Sequence, residues 1–147
     1  MFNDISYIAI IICLPKTINL IRMKKILLIT LALAFIIEAA LSFLCFFMPA
    51  KALELFGMEY NEKYAFLGFI IAWFLLLVTI LIGYAIYLLQ TNKVGSKAII
   101  NILGFWWIAL GIGVYAVFDK LDNLLLDSLK GMVILALNYF YNKDGAA

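Results

Sequence analysis

The chain contains no histidine, two prolines, two cysteines and few charges, with Asp, Glu, Lys and Arg making up 14% of its 147 residues. Without histidine it lacks the commonest metal ligand and the usual proton shuttle near neutral pH. Haem and non-haem iron sites, which depend on that ligand, are disfavoured, and a Ser/His/Asp set is ruled out. The cysteines, Cys13 and Cys45, stand in separate segments with no CxxC spacing. They are expected as unpaired thiols in apolar surroundings, in keeping with the burial habit of free cysteine. No P-loop, dinucleotide fingerprint or metal-ligand cluster is present, and no cofactor is expected. The net charge of +2 is small and its basic residues are scattered, which argues against nucleic acid as a partner.

What the chain has instead is apolar surface. Hydrophobic residues reach 67%, against roughly 45–50% in a soluble domain. A domain of this size leaves much of its surface wet, so a bilayer is the solvent that fits. A transmembrane helix needs about 20 mostly apolar residues. Residues 26–48, 64–89 and 98–118 each meet that requirement without an internal proline, and Pro49 stops the first. A fourth segment, 121–141, is long enough but carries Asp122, Asp127 and Lys130. Its polar residues Asn123, Asp127, Lys130 and Asn138 fall along one helical face. The opposite face has Leu124, Leu125, Leu129, Val133, Leu135 and Phe140. That pattern suits a span whose polar side faces protein; an amphipathic helix lying in the interface is the alternative.

Charge bias predicts orientation. Lys16, Arg22, Lys24, Lys25, Lys93, Lys97 and Lys143 lie to one side of the spans, and Lys51, Lys63 and Lys120 to the other. The richer side should be cytoplasmic, which puts both termini there and requires an even number of spans. The expected fold is therefore all-α, an integral membrane four-helix bundle spanning residues 23–142, multi-pass in a cell membrane such as the bacterial inner membrane. Residues 1–22 are expected as an extension upstream of a start at Met23, or as an interfacial segment, with Pro15 ending the apolar run Ile5–Leu14. Residues 143–147 form a polar tail. Between the first two spans, Ala52, Leu53, Leu55, Phe56 and Met58 suggest a short interfacial helix.

Each span carries a stripe of small or polar residues. These are Ala34, Glu38, Ser42 and Cys45 in the first, and Gly68, Ala72, Thr79 and Gly83 in the second. The third has Asn101, Gly104, Gly111 and Tyr115, with Ala109 and Gly113 nearby; the fourth has Asn123, Asp127, Lys130, Gly131 and Asn138. Such stripes are packing seams for helices in lipid. Glu38 and Lys130 each lie about 12 residues from the cytoplasmic end of their helix, hence roughly 18 Å deep. A charge at that depth costs at least ~2.5–3.5 kcal/mol, so pairing is expected, with Asp127 a local alternative partner for Lys130. Glu38, Asp127, Lys130 and Asn101 are the candidate intramembrane polar cluster, either a site for a proton, ion or small substrate or an ion pair fixing helix register. Trp106 and Trp107, with Trp73, could line an aromatic pocket for a lipid or quinone-like ligand; a lone aromatic pair has no specificity, and packing is the expectation.

Pro49 followed by Leu55-Phe56-Gly57 between the first two spans resembles small uncharacterised bacterial membrane proteins. In those, a Phe/Pro helix end leads to a Leu-Phe-Gly outer segment and three further spans. The resemblance covers residues 23–141; it implies topology and no chemistry. The expected role is a non-enzymatic accessory or binding subunit, working through helix contacts with the bilayer and with a membrane-protein partner or further copies of itself. A small oligomeric transporter using the Glu/Lys/Asp cluster is the second reading, and a membrane enzyme acting on a lipid-soluble substrate the third.

Overall fold

The computed structural model describes residues 3–55, 61, 65–119 and 121–145. Among these the chain is entirely helical outside its connections. The elements are α1 (Asn3–Phe47), α2 (Pro49–Leu55), α3 (Ala65–Gln90), α4 (Ser96–Phe118) and α5 (Leu121–Gly145). Four of them contain stretches long and apolar enough to cross a membrane: Asn19–Phe47, Phe66–Gln90, Ser96–Ala116 and Leu121–Lys143.

The breaks follow local chemistry. Pro49 does end the first span, and it then opens α2 as that helix's first residue, where a missing N–H costs nothing. The Met48 carbonyl accepts the first α2 bond, from the Ala52 N–H at 3.0 Å. α3 closes with Asn92 in the left-handed region (φ 52). The Lys93 N–H donates back to the Leu88 carbonyl at 3.0 Å, the six-to-one bond of a Schellman cap. Gly95, at φ 101, turns the chain into α4; a side chain there would be strained. Asp119, also left-handed, ends α4 with its N–H on the Tyr115 carbonyl at 2.9 Å.

Pro15 departs from expectation. α1 continues through it, and the apolar run before it belongs to the same helix as the first span. Proline's fixed φ is already helical, and the local loss is one hydrogen bond and some crowding against the preceding turn. A short helix does follow the first span, α2, with Ala52 and Leu53 buried; Phe56 and Met58 lie outside the described residues.

The four long helices form a square. α1 packs on α3 and α5, and α4 packs on α5 and, over a shorter stretch, on α3. α1 and α4 thus face each other across one diagonal. The main core joins Leu27, Leu31 and Ala34 of α1 to Ile82 of α3, Trp107 of α4 and Ile134 of α5. The seams follow most of the stripes, although Ala109 and Tyr115 of α4 are exposed. Ala34, Glu38, Ser42 and Cys45 are all buried, at 2–3% exposed. The Ser42 hydroxyl donates to the Ala72 carbonyl at 3.0 Å. Gly68 and Gly83 face Pro49 and Phe35 at ordinary to tight contact distance. The closest approach is α4 on α5, where Gly104 and Gly111 meet Gly131, Leu135, Leu124 and Ser128. Gly113 takes no part, because nothing lies within 4 Å of where its Cβ would be.

The outward face of α5 is largely as read, with Leu125, Leu129, Val133 and Phe140 exposed. Leu124 and Leu135 are half-buried and turn toward α4 instead. Large apolar side chains cover the outside of every span, among them Phe43, Phe69, Leu77, Phe105 and Leu126. In water such a surface would aggregate; in a bilayer it is the lipid-facing side.

Candidate functional site

Charge collects at one point in the middle of the bundle. Glu38, 2% exposed, extends from α1 toward the centre. The Lys130 ammonium of α5 donates to its Oε1 at 2.8 Å. The same ammonium contacts Asp127 Oδ1 at 3.0 Å, one turn back along α5. The two expected partners of Lys130 are therefore both engaged at once. The third participant is Trp107. Its indole N–H crosses the diagonal and donates to Glu38 Oε1 at 2.9 Å, while Lys130 Nζ sits 4.7 Å from the centre of its ring. A cation over an indole face adds about 0.5–2 kcal/mol.

Asn101 lies elsewhere. It accepts from the Asn138 amide at 2.8 Å, and that amide also reaches the Lys97 carbonyl at 3.0 Å. Asn142 donates to Asn138 Oδ1 at 2.9 Å. This makes a second polar layer, nearer the start of α4 and the end of α5. The physical reason is height. Asn101 is about 8 Å along α4 from Ser96, whereas Trp107 is about 17 Å along it, level with Glu38. Helical rise puts Asn101 level with Asn138 and Trp107 level with Glu38, and helix packing then decides which of them meet. Trp107, expected to pack or to line an aromatic pocket, instead donates to the buried carboxylate.

The geometry supports positioning of charge more directly than bond-making. One ammonium is shared by two carboxylates, and two donors converge on a single oxygen of Glu38. Oε2 of Glu38 takes neither of those bonds, and Glu38 lines a crevice of about 280 Å³ between α3 and α4. Phe74 of α3 and Trp106 of α4 stack across this crevice, with ring centres 6.1 Å apart and planes within 3°. Trp106 is thus part of a lined cavity, and Trp107 is part of the charge cluster. Trp73 belongs with neither; it packs edge-on against Phe46 and Phe69 at the far end of α1. Cys45 is buried and unpaired, and the side chain of Cys13 lies outside the described residues. Among the described residues, no group of three or more Cys, Asp and Glu is placed to hold a metal ion.

Replacing Trp107 with phenylalanine should remove the donor while keeping an aromatic ring. The loss of a hydrogen bond to a charged acceptor predicts a destabilisation of about 1.5–3 kcal/mol, read as a lower thermal midpoint in detergent. An unchanged midpoint would mean that the indole bond contributes nothing.

The chain's likeness to known proteins adds nothing to this geometry: no family model, no curated protein and no solved structure matches it.

Proposed function

We propose that this protein is a non-enzymatic binding subunit of a membrane, multi-pass, with both termini on the cytoplasmic side. The bacterial inner membrane is its proposed location. Its helices offer apolar faces to lipid and to partner helices, and Glu38 serves as its binding group. The observation that carries this reading is a carboxylate 98% buried, held by Lys130 and Trp107, at the inner end of a crevice open to the lipid side. Ionisable groups kept inside a span at such cost are functional suspects by default. The lysine distribution supports the orientation, and the resemblance of the Pro49 and Leu55-Phe56-Gly57 segment to small bacterial membrane proteins supports the location.

A second reading has one observation in its favour. Two carboxylates flank a single lysine, an arrangement that can pass a proton or small cation. Four spans enclose little volume, so permeation would need several copies.

A carboxy-terminal green fluorescent protein fusion, which stays dark when exported unfolded, tests the orientation, and purification in mild detergent tests the subunit reading. Fluorescent cells are expected, together with co-purification of a stoichiometric membrane partner or a defined oligomer in mild detergent. Dark cells would reverse the orientation, and a lone monomer would remove the subunit reading. Proton or cation flux in liposomes that disappears with Glu38→Gln would establish the second reading in its place.

A further inference from the structure

We propose that the α3–α4 crevice is a lateral binding site for a lipophilic cation, an ammonium head carried on an apolar tail. The inference rests on the binding reading above and names the ligand class for that site.

The charge count comes first. Glu38 and Asp127 contribute two carboxylates and Lys130 one ammonium, so the cluster carries one negative charge in excess, with Glu38 3% and Asp127 24% exposed. In a low-dielectric interior such a charge is costly unless something neutralises it. The lysine is already committed, and its bond to Glu38 falls on Oε1 together with that of Trp107. Oε2 is the atom left for a ligand. Glu38 is also the one charged side chain lining this crevice among the described residues.

The rest of the lining suits a cation with a greasy tail. Phe74 and Trp106 present aromatic rings, whose faces attract ammonium groups. A second crevice of about 210 Å³ continues along the same seam past Leu77, Leu81 and Ile102, and shares Phe74, Val78 and Trp106 with the first. The two together form one apolar path with a single carboxylate, Glu38, in its lining among the described residues. Phe74 is 53% and Trp106 37% exposed on the lipid-facing surface, so a ligand dissolved in the bilayer reaches the seam sideways. A neutral alcohol could accept the geometry but would leave the charge uncompensated, and a fatty-acid anion would meet Glu38 with like charge.

The test compares three ten-carbon probes on the full chain in phosphatidylcholine nanodiscs: decylammonium, decanol and decanoate, each radiolabelled, with empty nanodiscs as the blank. Saturable decylammonium binding at least tenfold tighter than decanol, with none for decanoate, is expected. Glu38→Gln should bring decylammonium to within twofold of decanol. Ile70→Trp, at an exposed position in the crevice lining, should block both probes while the thermal midpoint is kept. If Glu38→Gln fails to fold, the probe ratio on the native chain and its loss in Ile70→Trp decide the matter. Equal binding of amine and alcohol, both lost in Ile70→Trp, would leave the binding site standing and overturn the cation assignment. A cation preference that persists in a folded Glu38→Gln chain would also overturn it. No saturable binding of any probe would overturn the cation site, while the subunit reading stands or falls separately, by the partner or oligomer found in mild detergent.

Discussion

Lys130→Met should be the most damaging single change to the charge cluster, destabilising the bundle by about 3–5 kcal/mol, the range for breaking a buried pair by removing one partner. The lysine is the sole ammonium reaching either carboxylate in the cluster among the described residues. Its removal strands Glu38, whose side chain is 3% exposed, more severely than Asp127, whose side chain is 24% exposed. Glu38→Gln should cost clearly less. Lys130 keeps Asp127 at 3.0 Å, and the glutamine oxygen can still accept from the Trp107 indole. The order of the two variants is therefore the informative quantity. A double replacement, Glu38→Met with Lys130→Met, should recover more than half of the Lys130→Met loss, because no deeply buried unpaired charge remains. Thermal unfolding of the purified chain in detergent gives all three values. Equal losses for Lys130→Met and Glu38→Gln would show that the lysine is not shared in the way the geometry indicates.

Gly131→Ala should cost about 2–3 kcal/mol, at the upper end of the usual overpacking range. A Cβ at Gly131 would be driven into the backbone carbonyl of Gly104, with Ile108 Cγ1 at 2.8 Å and the Ile108 nitrogen at 3.1 Å. Backbone cannot rotate away, so α4 and α5 would have to separate. Gly104→Ala meets the Leu135 side chain first, at 2.6 Å, and a leucine can change rotamer; its cost should be smaller. Gly113→Ala faces open space and should be neutral to about 1 kcal/mol stabilising, as expected from helix propensity. Midpoints that rank Gly131, Gly104 and Gly113 in any other order would place the tight crossing elsewhere. The same separation should also break the Asn101–Asn138 bond, which spans the same two helices.

Much of this arrangement could be read from the chain. The small-residue stripe of α1 was legible because a helix repeats every 3.6 residues, so Ala34, Glu38, Ser42 and Cys45 must share a face. The meeting of Glu38 and Lys130 was legible because helical rise converts residue counts into depth. Asn101 was misplaced for want of the same count. Trp107 was hidden for another reason: hydropathy gives an indole in a span one value, whether it faces lipid or donates to a buried carboxylate. Pro15 was over-read, since a proline removes one bond of a helix without obliging it to stop.

The sequence by itself determined an apolar composition that suits a bilayer, four long apolar helices, the end of the first at Pro49, and the inward face of that helix, which carries Glu38. Those are local properties, set by side-chain polarity and backbone preference within a few residues. Only the tertiary structure decided the cyclic order of the helices, with α1 diagonal to α4, and so decided that Trp107 could reach Glu38. It also decided that α4 lies tight on α5 and loose on α3. That inequality follows from Gly104, Gly111 and Gly131 meeting on one seam while Phe74 and Trp106 meet on the other. Small residues let two backbones close and large rings hold two helices apart, but which residues face each other is settled only when all four helices pack together.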